Sequence, residues 1–149
     1  MKKDPLIHDL PKCDLLAVFQ QDDRRELGSY GEFLVVRPGE SLIEMRQPQD
    51  SLYFLISGLL IATRPAEEGI TNLGTIRPNE WFGEINLFHP HAASAEVRAR
   101  EESHIWRISR GRLEEYLNAH PAHGCALLLG AGEVLAGRYR MLSARLGNS

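Results

Sequence analysis

Residues 81–99, WFGEINLFHPHAASAEVRA, hold the densest set of groups in this chain that could bind a ligand. Gly83 can take a positive φ and let a ligand come close to the backbone. Glu84, at the start of a helical turn, can accept hydrogen bonds from ligand hydroxyls. The backbone N–H groups of that turn can face an anion. Ile85, Leu87 and Phe88 give the turn an apolar side. A polar loop of His89, Pro90 and His91 follows, and the small residues Ala92, Ala93, Ser94 and Ala95 run into an alternating strand. Carboxylate, amides and small residues together suit a sugar phosphate. Ser94 and the Ala95 N–H are further anion donors. The simpler alternative is that Glu84 caps its own turn and that Ser94 only opens a strand.

Other reactive side chains are sparse. His89 and His91 stand two apart in a loop, and a metal site needs further ligands. His91 could serve a phosphate only when protonated, below a pKa near about 6.5. His120 and His123 sit near a helix start and are expected on the surface. Cys13 and Cys125 are the only cysteines. Two cannot complete a four-thiolate site, and reduced thiols in a cytoplasmic protein are expected. No nucleophile–base pair or paired carboxylates point to catalysis, so an enzyme, a metal and a cofactor are not expected. The net charge of -3 gives no electrostatic case for nucleic acid. No apolar run is long enough to span a membrane. The N-terminus lacks the apolar core and cleavage site of a signal peptide.

The elements that position the 81–99 segment follow from periodicity. Residues 11–27 are expected to be helical, with Leu15, Val18 and Phe19 at i, i+3 and i+4 and with Asp22 or Asp23 capping a second short helix. From Glu32 the period becomes two. Two short strands surround a Pro38-Gly39 turn. The next strand puts Leu52, Phe54 and Ile56 on one face and Tyr53 and Leu55 on the other, and Gly58 breaks it. Residues 66–69 form a hairpin connection. Ala93, Ala95, Val97 and Ala99 share a face of a later strand, and residues 103–109 alternate again. Many short strands between turns predict a β-roll or barrel of about eight strands over residues 30–109. A helix over residues 112–118 follows a Ser109 cap. Pro121 suits the start of a long helix reaching about Leu146. On it Leu128, Leu135 and Leu142 recur every seven residues beside Leu127, Val134 and Met141. Gly130, Gly132 and Gly137 stand opposite, which predicts close packing on another backbone or a helix that can loosen.

The segment resembles the phosphate-binding cassette of the cyclic nucleotide-binding domain family. Phe82, Gly83, Glu84, Ile85 and Leu87 match the first half of the pattern; Ser94, Ala95, Val97 and Ala99 match the second. Residues 38–40 and 52–58 fit the family in order and spacing, and the resemblance covers about residues 15–146. It implies a mainly β fold with helical flanks: a double-stranded β-helix, or jelly-roll-like β-roll, with N-terminal helices and a long C-terminal helix, in one domain over residues 1–149. It departs in four places. Asn86 replaces a small residue. Asn79 and Arg46 stand where glycines are usual; asparagine tolerates the left-handed conformation, and the turn at Arg46 is expected to be remodelled. Ala93 stands where the family's arginine pairs with the cyclic phosphate.

The resemblance implies a regulatory sensor whose ligand lies at Gly83, Glu84, Ile85, Ala93, Ser94 and Ala95. Arg138 falls near where the long helix covers the base. Cyclic AMP binding is expected to be weak because of Ala93. In the family's transcription factors the long helix dimerises and leads to a helix-turn-helix domain. Here a homodimer through residues 125–146, no DNA-binding domain and a separate effector protein are expected. The alternatives are a degenerate β-roll used for dimerisation or protein interaction, and a cupin-like metalloenzyme, which the missing metal ligands disfavour.

Overall fold

The computed structural model describes residues 1–5 and 9–147. The chain opens with strand β1 (Lys2–Lys3), a 3-10 turn (Asp14–Leu16) and helix α1 (Gln21–Ser29). The helical segment expected over residues 11–27, with a second short helix in its later part, is a 3-10 turn followed by a helix that runs on to Ser29. Leu15, Leu16 and Phe19 are buried while Val18 is 64% exposed. One unbroken helix would put Leu15, Val18 and Phe19 on a common face; breaking it leaves Val18 to solvent and brings Phe19 in. The Gln20 N–H donates to the Asp23 carboxylate at 2.9 Å. Asp23 therefore closes α1 from inside its first turn, and neither Asp22 nor Asp23 is the N-cap residue expected.

The sheet region runs β2 (Glu32–Val36), β3 (Ser41–Ile43), β4 (Pro48–Gln49), β5 (Ser51–Ser57), β6 (Leu60–Pro65), β7 (Ile70–Ile76) and β8 (Trp81–Phe82). Helix α2 (Glu84–Phe88) interrupts it before β9 (His91–Ala92), β10 (Glu96–Ala99) and β11 (Ser103–Ser109). All pairings are antiparallel. The sheets have the orders β1-β2-β11-β5-β8, β3-β10-β6-β7 and β4-β9. This is the expected β-roll. Its strands outnumber the expected eight because β1, β4, β8 and β9 are two residues each, too short for a period to show.

Strand β5 divides the core as its alternation predicts. Leu52 and Phe54 pack with Leu15, Leu16, Phe19, Trp106 and Leu127 under the helices. Tyr53 and Leu55 point into the roll, among Leu42, Phe82, Ala93, Val97 and Ile105. Ser109 caps α3 (Arg110–Ala119), its Oγ accepting from the Arg112 N–H at 3.2 Å.

Helix α4 (Pro121–Gly147) follows; residues 148–149, part of the expected hinge, lie outside the described residues. Its first half packs on the protein through buried Leu127 and Ala131. Gly130 permits this: a Cβ there would lie 2.6 Å from Leu15 Cδ1. Gly132 and Gly137 face open space, so close packing explains only one of the three glycines. From Ala136 onward the helix is exposed, including Tyr139, Met141 and Leu142. His120 and His123 are part-exposed surface residues. They face Glu26 and Asp23 of α1 at 3.2 and 3.3 Å, and the His123 ring meets Phe19 edge-on. They tie the α3–α4 junction to α1.

Candidate functional site

Gly83 ends β8 and starts α2 with φ at +79°. A Cβ there would lie 2.8 Å from the Ser51 carbonyl oxygen and 2.9 Å from the Tyr53 ring. Only glycine meets both demands. The Asn86 and Leu87 N–H groups turn back to the Gly83 carbonyl at 3.0 and 3.3 Å. Those two amides are therefore used within the turn. The turn buries Glu84 and Leu87 and exposes Ile85 and Phe88, the i, i+3 spacing of a helix. With its side chain in solvent, Ile85 can meet a ligand only through its backbone.

Arg138 crosses from α4 to this turn. Its Nη1 donates to Glu84 Oε1 and its Nη2 donates to the Trp81 carbonyl at 2.7 Å. One planar guanidinium thus holds a side chain and a main-chain oxygen on either side of Gly83. Glu84 is 5% exposed, and its Oε2 has no hydrogen-bond partner among the described residues. That oxygen is buried and keeps its acceptor capacity unused. The Trp81 anchor was not evident in the sequence, since any residue has a carbonyl. Trp81 is itself fixed: its Nε1 donates to Cys13 Sγ at 3.4 Å, and its ring meets Phe54 at 4.5 Å and Trp106 at 6.0 Å. A cavity of about 420 Å³ lies here, lined by Lys12, Cys13, Trp81, Val134 and Arg138 among others. Of the expected ligand residues it includes Arg138 alone.

Arg138→Ala is expected to lower stability by about 2 kcal/mol, because it leaves a buried carboxylate without its partner. Adding Glu84→Gln should recover part of the loss. Denaturant unfolding measures both, and an unchanged midpoint in Arg138→Ala would show that the pair does not hold α4.

Ala93 directly follows β9. Its N–H donates to the Gln47 carbonyl at 2.8 Å and its carbonyl accepts the Arg46 N–H at 2.9 Å. Its methyl is buried inside the roll with Tyr53 and Phe82, whose rings stack at 5.0 Å. The Tyr53 hydroxyl donates to Gln49 Oε1 at 2.8 Å, and burial raises its pKa, keeping it a neutral donor. Ser94 is exposed and Ala95 half-buried, so the expected inward face is kept by Ala93, Val97 and Ala99 and only partly by Ala95. The structure brings Glu84 and Arg138 into contact. It puts Ala93 in the apolar interior and Ser94 at the surface.

His89 and His91 are exposed, and His91 Nδ1 accepts the Ala92 N–H at 2.9 Å. No group of three or more His, Cys, Asp or Glu side chains able to hold a metal occurs among the described residues. No helix among them is long and apolar enough to cross a membrane.

Comparison with known proteins agrees with this architecture. The cyclic nucleotide-binding domain matches residues 33–120. A CRP-like cAMP-activated global transcriptional regulator of Mycobacterium tuberculosis is 30% identical over 111 residues, covering 74% of this chain and 48% of that protein. The chain thus spans about half the length of this curated relative. The N-terminal domain of a transcriptional regulator from Streptomyces coelicolor A3(2) superposes with a TM-score of 0.76 at 26% identity, over 85% of this chain and 91% of that one. The Thermus thermophilus catabolite activator protein shares the fold, with a TM-score of 0.79 at 21% identity over 89% of this chain and 61% of that one. The chain belongs to the cyclic nucleotide-binding domain family.

Proposed function

We propose that the chain is a non-enzymatic sensor of the cyclic nucleotide-binding type that passes its state to a separate partner protein through α4. The observation that supports this most is the contact of Arg138 with Glu84. A ligand hydroxyl that reached the buried, unpartnered Oε2 of Glu84 would alter the same carboxylate that anchors the helix. Such a ligand shifts α4 only by the difference in its affinity for the two helix positions. The ligand contacts we assign are Gly83, Glu84, the Ile85 backbone, Ala93, Ser94, Ala95 and Arg138. Cyclic AMP binds weakly in this reading, because Ala93 offers no countercharge. The exposed apolar face of α4 joins two copies.

A second reading has one observation in its favour. Ala93 is packed among apolar side chains inside the roll, as in a pocket given over to core and used only for dimerisation or protein interaction. Titration calorimetry with cyclic AMP and cyclic GMP separates the two. Saturable binding at about tens to hundreds of micromolar is expected, roughly 10- to 150-fold weaker than a micromolar sensor holding the arginine. No heat with either nucleotide at millimolar concentration would favour the interaction module.

A further inference from the structure

Two non-glycine residues among those described hold a positive φ, Asn79 at +71° and Arg46 at +68°. Asparagine's short polar side chain tolerates this conformation, but arginine has no such compensation, and glycine would hold the turn without strain. A strained residue at a fixed place motivates a search for what else it does. Arg46 lies one backbone hydrogen bond from Ala93, its N–H donating to the Ala93 carbonyl at 2.9 Å. Its side chain is exposed, and its guanidinium has no ion-pair or hydrogen-bond partner among the described residues. Lys12 lines the cavity beside Trp81 and is not bonded to the loop at Ala93, and the two cations singled out in the sequence are less available. Arg138 is held by Glu84 and Trp81, and His91 accepts a backbone N–H through Nδ1.

We propose that Arg46 is the cation that receives the ligand's phosphodiester, from the strand turn facing Ala93. The proposal rests on the reading of the site as a cyclic nucleotide sensor. A long side chain that starts beside Ala93 can fold over the loop at Ala93 and Ser94. Its planar fork matches two phosphate oxygens. Because this cation sits in solvent, its attraction is weaker than that of a buried arginine and is screened by salt. The ligand it fits is a phosphodiester whose charge stays at the edge of the roll.

The test uses the full chain, with Arg46→Gly and Arg46→Lys, titrated with cyclic AMP and cyclic GMP at low and high salt. Thermal unfolding without nucleotide is followed in parallel. The unmodified protein is expected to bind more weakly as salt rises. Arg46→Gly is expected to lose about tenfold in affinity at low salt, a 1.4 kcal/mol change, together with most of the salt dependence. It should also melt at a higher temperature, since glycine relieves the positive φ. Arg46→Lys should keep the salt dependence and part of the affinity without the gain in melting temperature. If Arg46→Gly binds as the unmodified protein does, the role of Arg46 is refuted and the sensor reading stands. If the unmodified protein binds neither nucleotide at either salt, the sensor reading falls and this proposal with it.

Discussion

Ala93→Arg is expected to tighten cyclic AMP binding by roughly 10- to 150-fold. The estimate converts a charge-assisted hydrogen bond of about 1.5–3 kcal/mol at about 1.4 kcal/mol per tenfold. The cyclic phosphate carries one negative charge and loses hydration on entering the roll. An arginine beside it supplies a full countercharge and two parallel donors.

The structure adds a cost to this gain. The Ala93 methyl is buried among Tyr53, Phe82, Leu42 and Val97. An arginine there, with the pocket empty, is either an unpaired charge in an apolar interior or has turned outward through the exposed loop of His89, Pro90 and His91. Ala93→Arg should therefore melt at a lower temperature than the unmodified protein without nucleotide. Saturating cyclic AMP should recover the difference, since a ligand that binds only the folded state stabilises it by mass action. Calorimetry and thermal unfolding of both forms check the two parts. A lower melting temperature with no gain in affinity would mean that the interior is closed to nucleotide, and would favour the interaction module. Arg46 gives a further check. If Arg46 and an arginine at position 93 answer the same charge, their effects on affinity are not additive.

Local period made most of the roll legible in the sequence. The alternation of residues 51–57 predicted which side chains share a face, because a strand's two faces are set by its own residues; which face meets the helices came from the structure. Gly83 was legible by residue type, since glycine permits a positive φ; the nearness of Ser51, which leaves no space for a side chain, was not. What stayed hidden depends on partners far along the chain. Glu84 and Arg138 are 54 residues apart, and the resemblance placed Arg138 near a ligand's base instead of on this carboxylate. The pairs of His120 with Glu26 and of His123 with Asp23 needed the docking of α1 on the α3–α4 junction. At the N-terminus the second short helix was legible, but the spacing of Leu15, Val18 and Phe19 also fits a single 3-10 turn, and burial of Leu16 and Phe19 decided between turn and helix.

Leu142→Glu is expected to convert a dimer into a monomer, weakening association by roughly 100-fold. At 3.6 residues per turn, Leu128, Leu135, Tyr139 and Leu142 fall within an arc of about 60°. Leu127, Ala131 and Val134, which pack on the protein together with Leu128 from the near end of the arc, lie to one side of that arc. The helix therefore has two apolar faces, and the stripe is not used up within the chain: Tyr139 is 71% and Leu142 55% exposed. A seven-residue repeat on such a face suits pairing with a second copy. Burying a leucine contributes about 1.5 kcal/mol or more. A symmetric pair loses that twice, about 3 kcal/mol, hence the factor of roughly 100. Leu142 is exposed and glutamate is a good helix former, so the monomer's fold and circular dichroism should not change. Met141→Glu is the control. Met141 is 62% exposed but points about 100° away from Leu142, and its replacement should leave the dimer intact. Light scattering across a concentration series reads both variants. An unmodified protein that stays monomeric at high micromolar concentration would refute the dimer. Dissociation by Met141→Glu but not by Leu142→Glu would move the interface to the other face of α4.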